Sequence, residues 1–425
     1  MQKTSAEVDM NKRQKYLGQK GLIALITFLS AFIPLSTDLY LPALPGMAVY
    51  FKAPINLVNL TLILFFIFFS AGMLFWGPLS DKYGRKPVLL TGLTVYILAS
   101  LFSACVVNVY QLIIFRVFQA IGGGAAASVA MAMVKDTYDG KKRESILALV
   151  QSMTMICPIT APVLGAILLK FISWRGIFWT LTGIGILALA GALALEETIG
   201  KRYTGTIGQT MGRLGVVLKN PGFSSLLSVF ALAGIPTFAY LASSSYIYID
   251  GFGLSEQTYS YFFALNAVFL LLSPMLYLIL SRRFNRGSII ITCFAVVAMS
   301  GALIGSLGNL GPWLFAVTLI PSTIASNCVR PPGTNLMLEQ QQEDTGSASA
   351  LMSCVSLLMG SVGMLLISYD WSNIILALGI LNLIVGLTCG VLWLLISKRS
   401  FIKQVPQMQL LQQHQAKHKT TIADQ

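Results

Sequence analysis

Charge, histidine and ligand-type cysteine spacing are all scarce in this sequence. Only 11% of its 425 residues are charged, where an ordinary soluble domain carries about 25%. Apolar residues make up 55% and mean hydropathy is +0.74, which leaves too little polar surface for a water-soluble globule of this size. The two histidines, His414 and His418, stand near the C-terminus, so a histidine relay within the body of the chain is excluded. Cys105, Cys157, Cys293, Cys328, Cys354 and Cys389 show no metal-ligand spacing and fall inside apolar runs. They are expected to be small packing residues, with neither a disulfide framework nor a metal site. A Gly-rich phosphate loop followed by Lys-Ser/Thr is missing too, as are a filter-type loop and any internal pair of acids. These absences speak against an ATP-driven machine, a channel and a membrane enzyme.

Long apolar runs are what the sequence has in abundance. A hydrocarbon core about 30 Å thick takes roughly 20 apolar residues per helix. Twelve such runs can be placed, at 20–45, 55–80, 88–106, 109–134, 143–170, 174–196, 221–250, 255–281, 288–308, 311–338, 346–370 and 371–397. Period-2 alternation is lacking, which disfavours a membrane β-barrel. The first run is too long for a cleavable signal and has no small-residue cleavage site. The expected fold is an all-α integral membrane protein with 12 transmembrane helices.

A formal net charge of +13 first raises the question of nucleic acid. Placement answers it. Twenty-four of the 29 basic residues, among them Lys12, Arg13, Lys82, Lys141, Lys142, Arg213 and Arg282, fall on one side of a twelve-span ladder. The other side holds Lys52, Lys170 and Arg175, and only Arg116 and Arg330 lie within spans. Such asymmetry is an orientation signal that puts both termini in the cytoplasm, and no nucleic-acid partner is expected. The chain then divides into a cytoplasmic N-terminal segment 1–19, a half 20–196, a cytoplasmic connection 197–220, a half 221–397 and a Gln-rich tail 398–425 expected to be disordered.

An internal repeat joins the two halves. Leu79-Ser80-Asp81-Lys82-Tyr83-Gly84-Arg85 returns at an offset of 201 as Leu280-Ser281-Arg282-Arg283-Phe284-Asn285-Arg286. Phe28…Ile33-Pro34 returns at 202 as Phe230…Ile235-Pro236. Two parallel six-helix halves account for both, and such halves hold substrate at their interface and rock about it.

Three motifs carry further meaning. After the second span the chain reads Gly77-Pro-Leu-Ser-Asp81-Lys-Tyr-Gly84-Arg85-Lys86. Gly84 permits a tight turn, Arg85 and Lys86 are expected in the headgroup layer, and Asp81 is placed to face the positive N-terminal end of span 11 near Thr345-Gly346-Ser347. The segment is either a gate latch or a plain topology-setting turn. Span 4 carries Arg116-Val-Phe-Gln119-Ala-Ile-Gly122-Gly123-Gly124, and span 5 carries Cys157-Pro158-Ile-Thr-Ala161-Pro162-Val-Leu-Gly165. An arginine within a span costs about 2.5–3.5 kcal/mol or more, so Arg116 should line a cavity or pair, although a structural brace between helices competes with that role.

The loop resembles the signature loop of the major facilitator superfamily, and the Arg116 segment resembles its second signature. The span 5 segment is similar to the antiporter signature of drug exporters, with Ala166 where a second glycine is common; a kinked helix without a coupling role is the competing account of Pro158, Pro162 and Gly165. Ser36-Thr37-Asp38-Leu39-Tyr40-Leu41-Pro42, Trp174-Arg175-Gly-Ile-Phe and Thr345-Gly-Ser-Ala-Ser-Ala350 most resemble the bicyclomycin-resistance and chloramphenicol-exporter (Bcr/CflA-like) branch of drug:proton antiporters. The resemblance spans about residues 20–397. It implies proton-driven export of drugs or small metabolites from the bacterial cytoplasm across the inner membrane, by a monomer in the lipid bilayer that uses the proton gradient and no cofactor.

Of the sixteen acids, only Asp38 falls inside a span away from its ends. Low dielectric disfavours a carboxylate's charged form, which suits such a group to take up and release a proton. At 1.5 Å per residue Asp38 lies about 12 Å, and Arg116 about 10 Å, from the outer ends of their spans, so the two are candidates for an ion pair that breaks and re-forms. The competing role for Asp38 is a hydrogen bond to backbone freed by Pro34 or Pro42. Tyr40, Phe65, Phe66, Tyr240, Tyr246, Asn266 and Asn335 are candidate walls of a central substrate cavity, suited to amphiphilic, neutral or cationic compounds. Arg330 is a candidate either for attracting anionic groups or for reaching to the interface. Export of an endogenous metabolite or siderophore is the alternative to drug export, and uptake by proton symport is a third.

Overall fold

A chain immersed in hydrocarbon has to satisfy its own backbone, and among the described residues it does so with helices and no strand. The computed structural model describes residues 14–200, 207–341, 345–397 and 399. Most of the N-terminal segment and nearly all of the tail 398–425 therefore lie outside the described residues.

The helices are α1 (Gly18–Ser30), α2 (Phe32–Asp38), α3 (Leu44–Phe51), α4 (Ile55–Tyr83), α5 (Arg85–Cys105), α6 (Val109–Thr137), α7 (Gly140–Phe171) and α8 (Trp174–Ala194). After them come α9 (Ile207–Leu218), α10 (Pro221–Leu232), α11 (Ile235–Ser245), α12 (Glu256–Leu280), α13 (Arg286–Leu307), α14 (Pro312–Cys328), α15 (Arg330–Glu339), α16 (Thr345–Ile367) and α17 (Ile374–Ile396). Among the described residues eleven stretches are long and apolar enough to cross a membrane, with Pro221–Gly251 and Pro312–Glu339 each counted as one. A twelfth exists if Gly18–Ser30 and Pro34–Phe51, bent by 43°, form a single span.

Local sequence sets many of the helix starts. Asn108, Asn220, Ser255, Asn285 and Asn373 each accept a hydrogen bond from a backbone N–H in the first turn that follows, satisfying donors that a helix start leaves free. The first stretch departs from a plain helix because Pro34, Pro42 and Pro45 remove donors. It passes from α2 through a 3-10 turn, Leu41–Ala43, into α3.

Among the described residues three large apolar cores divide the molecule, beside a small one of Phe65, Phe69, Ala120 and Ala127. One, from Leu22 to Leu195, draws only on residues before the central connection, and another, from Val217 to Trp393, draws on α9 and the helices after it. Both lie toward the end that carries the basic loops, called here the basic end. The third core, at the far end, is shared: Leu39, Tyr40, Leu62 and Phe178 pack in one cluster with Tyr240, Tyr246, Tyr259 and Phe315. Helix α4 packs on α16, and α7 on α12, across the divide.

Candidate functional site

Asp38 ends α2 at the place where the helix gives way to the 3-10 turn, and it is 5% exposed. Its Oδ1 accepts a hydrogen bond from Thr37 Oγ1 at 2.9 Å. Helix α7 turns a face of small buried residues, Cys157, Ala161 and Gly165, toward this segment. At Gly165 the approach is backbone to backbone, because a Cβ there would lie 2.1 Å from the Leu39 carbonyl oxygen. Asp38 is also within electrostatic reach of Cys157 and, across the divide, of Tyr259. Prolines 158 and 162 lie inside α7, which continues as helix through both.

Arg116 is fully buried on α6. Its Nη1 donates to the Ser36 carbonyl at 2.9 Å and to Gln119 Oε1 at 2.6 Å. The Ser36 carbonyl is free for this contact because the Tyr40 N–H, which would reach it in a continuing helix, bonds Thr37 O instead. The guanidinium lies 4.3 Å from the Phe65 ring centre and 4.9 Å from that of Tyr40, close enough for cation–π attraction. Behind it, Gln119 Nε2 donates to Ser100 Oγ at 2.7 Å, and the Ser36 and Tyr96 hydroxyls meet at 2.6 Å. Nε and Nη2 of Arg116 have no hydrogen-bond partner among the described residues. No ion pair joins Arg116 to Asp38 among the described residues: the arginine grips the backbone of the Asp38 segment, while the carboxylate takes its hydrogen bond from Thr37.

The proposed cavity residues separate into two places. Tyr40, Phe66, Tyr240 and Tyr246 belong to the shared far-end core, and Phe65 packs beside it on Phe66 and Phe69. Tyr40 hydrogen-bonds Thr61 at 2.6 Å, and Phe66 meets Phe238 edge to face. The hydroxyls of Tyr240 and Tyr246 are buried without partners. Asn266 accepts from Thr323 Oγ1 at 2.8 Å. Asn335, by contrast, is exposed on α15 toward the basic end, away from the aromatic group. One residue that residue type alone did not mark is Asn59. Its Nδ2 donates across the divide to Ser368 Oγ at 2.8 Å and to the Ala242 carbonyl at 3.3 Å. Its signal in the sequence is a carboxamide within an apolar run.

At the basic end the signature loop is built differently from the expectation. Arg85 is not in a headgroup layer but buried, donating to Asp81 at 2.6 Å, Asp136 at 2.7 Å and Ser80 at 2.6 Å. Two carboxylates and a hydroxyl compensate its desolvation. Asp81 therefore has Arg85 as its ion-pair partner, although it and the first turn of α16 (Gly346, Ser347) line the same cavity of about 520 Å³, along with Gly77. Glu197 accepts from the backbone N–H groups of Arg85 at 2.9 Å and Lys86 at 3.3 Å, capping α5, while Lys86 Nζ reaches the Leu193 carbonyl at 2.8 Å. Gly84 has φ of 107°, and a Cβ there would lie 2.4 Å from Glu197 Oε2. At the repeat-related position Arg286 pairs with Glu339 at 2.6 Å. Of the six cysteines, Cys105 is exposed at the end of α5 and Cys354 half-buried; the other four are buried.

Comparison with known proteins gives the family. The chain matches the family model of the Major Facilitator Superfamily over residues 26–364. Among curated proteins it is 29% identical to the uncharacterized MFS-type transporter YdgK of Bacillus subtilis and 25% identical to a bicyclomycin resistance protein homolog of Haemophilus influenzae, each alignment covering 80% of this chain and 87% of the relative. It is 28% identical to a chloramphenicol resistance protein of Pseudomonas aeruginosa, over 87% of this chain and 91% of that one. A D-xylose–proton symporter shares its fold, with a TM-score of 0.66 at 14% identity over 86% of this chain and 96% of the other.

Proposed function

The chain belongs to the Major Facilitator Superfamily, within the branch of bicyclomycin and chloramphenicol resistance proteins, and from that premise we propose that it is a proton-coupled antiporter exporting drug-like small molecules. It is a multi-pass membrane transporter and not an enzyme. In this proposal the bent first stretch counts as one of twelve spans, the basic end with both termini faces the cytoplasm of a bacterial inner membrane, and the protein works as a monomer by alternating access.

The observation that carries the proposal is the setting of Asp38. It is the one acid away from the span ends, it is buried, and the segment that holds it touches both the Arg116 network and the bare backbone of Gly165. Protonation of Asp38 removes a charge at the junction of the halves. That changes the balance between packed and separated far ends, and α2 conveys the change to Arg116 through the Ser36 carbonyl. The far-end core is closed across the halves while the basic end holds a cavity, which fits a state that loads substrate from the cytoplasm.

The test is transport in proteoliposomes under an imposed pH gradient, across amphenicols, cationic dyes and metabolites. The proposal expects accumulation that follows the gradient and loses that dependence in Asp38→Asn. Undiminished gradient-driven transport by Asp38→Asn would remove Asp38 from coupling, and transport that ignores the gradient for every compound would defeat antiport.

A further inference from the structure

The two arginines within spans are in opposite situations. Arg116 is fully buried and its charge is spread over a carbonyl, a carboxamide and two rings. Arg330 is exposed, and no hydrogen bond or ion pair engages it among the described residues. It sits well inside the stretch Pro312–Glu339, about 13 Å from the basic end at 1.5 Å per residue.

Exposure on this stretch changes character along its length. In α14 the exposed side chains are Trp313, Leu314 and Val317, which suit lipid. From Arg330 onward they are Arg330, Thr334 and Asn335, all polar. Thirteen residues at 100° each put Arg330 about 140° around the helix from Val317. On an ideal helix its side is therefore turned away from that lipid-type surface, to the side that a space between the halves would occupy. Helix α15 packs against α10, α12 and α16, which leaves that side open. Thr323, Asn327, Arg330 and Thr334 recur at i, i+4, i+7 and i+11, the spacing of one helical face. Asn327 and Thr323 are already ordered, through the Asn327 Nδ2 bond to the Thr323 carbonyl at 2.9 Å and the Thr323 bond to Asn266.

We propose that Arg330, within this polar stripe, is a binding subsite for a carboxylate or similar anionic group on an amphiphilic aromatic substrate. A guanidinium presents paired N–H donors that match a carboxylate. In a wall with no acid beside it, the counter-charge is supplied by the ligand. The space between the halves would then accept anionic and zwitterionic amphiphiles. The proposal rests on the transporter reading only for the existence of a water-filled space between the halves.

The experiment is equilibrium binding of dansylglycine and of its methyl ester to the purified full chain in detergent, without any gradient. The carboxylate and the ester differ in one charge and share the aromatic body. The wild-type protein should bind the carboxylate about tenfold or more tighter than the ester, as charge-assisted bidentate bonds dictate. Arg330→Gln should abolish that preference, and a thermal melt matching the wild type shows that the variant folds. Arg330→Lys should retain part of it. The proposal is overturned if the wild type binds the ester as tightly as the carboxylate, if it binds no carboxylate, or if Arg330→Gln keeps the preference. Because no proton gradient enters the measurement, failure of antiport leaves this result standing, and failure here leaves antiport untouched.

Discussion

The two ends of the molecule are held by different means. At the far end, side chains from both halves merge into one apolar core, stitched by Asn59 to Ser368 and Ala242 and pressed together where Gly165 meets Leu39. At the basic end each half keeps its own core, and the strong contacts are ion pairs within a half: Arg85 with Asp81 and Asp136, Arg286 with Glu339. Joining the halves is thus left to apolar packing and weak polar contacts, which can part and re-form at small cost, while charge secures the interior of each half. An alternating transporter needs that division, because the elements that separate must be near balance and those that move as units must not be.

The comparison can be broken from either side. Arg85→Ala should have the largest effect, since it leaves Asp136 and Asp81 unpaired beside a cavity. Breaking a fully buried pair costs about 3–5 kcal/mol, and the partial exposure of Asp81 reduces the expected loss to about 2–3 kcal/mol. A thermal melt of the detergent-solubilised protein reads this as a clear fall in midpoint. Gly165→Val should come next. Its branched side chain has no space against Leu39 O, so overpacking of about 1–3 kcal/mol must push α7 off the Asp38 segment; a pair of spin labels across the far end should report a wider separation. Asn59→Ala should act more gently. Losing its contacts across the halves costs about 1 kcal/mol, a shift of roughly fivefold toward the state with the far end open. Thiol labelling of a cysteine introduced at Tyr246 should speed up by that factor, and an unchanged rate would show that the apolar core alone holds the seal. Arg286→Ala should lower the melting midpoint as well, because it removes the pair with Glu339, and an unchanged midpoint would show that this pair adds nothing to the second half.

Much of the fold was legible because hydropathy is a strong signal in runs of twenty or more residues, and the helix ends lie close to the limits those runs suggest. The first stretch was the exception: Pro34, Pro42 and Pro45 announce breaks, but their sense and the 43° bend depend on what packs against them. Within the site, Asp38 emerged by elimination and Arg116 by its cost in lipid. The partner of Arg116 was not legible, because a backbone carbonyl freed by a helix ending has no letter of its own. Arg85 looked like an interfacial cation for a related reason: Asp136 is 51 residues away in the chain and the repeat gives no hint of it. Asn59 was hidden by its neighbours, since its contact Ser368 is 309 residues distant. Asn335 was grouped with the aromatic residues on span membership alone, whereas its position along α15 places it toward the other end of the molecule.

The contact between Gly165 and Leu39 bears on economy as well as motion. An exchanger that lets protons slip through without cargo runs down the gradient for nothing. Where a Cβ would sit 2.1 Å from a carbonyl oxygen, a water molecule has no room either, so no chain of waters passes directly between Gly165 and Leu39. Backbone against backbone forms a gasket that side-chain motion alone cannot open. In the proposed antiporter a leak at this contact would require the helix to lift, so Gly165 would make idle turnover there as difficult as productive turnover.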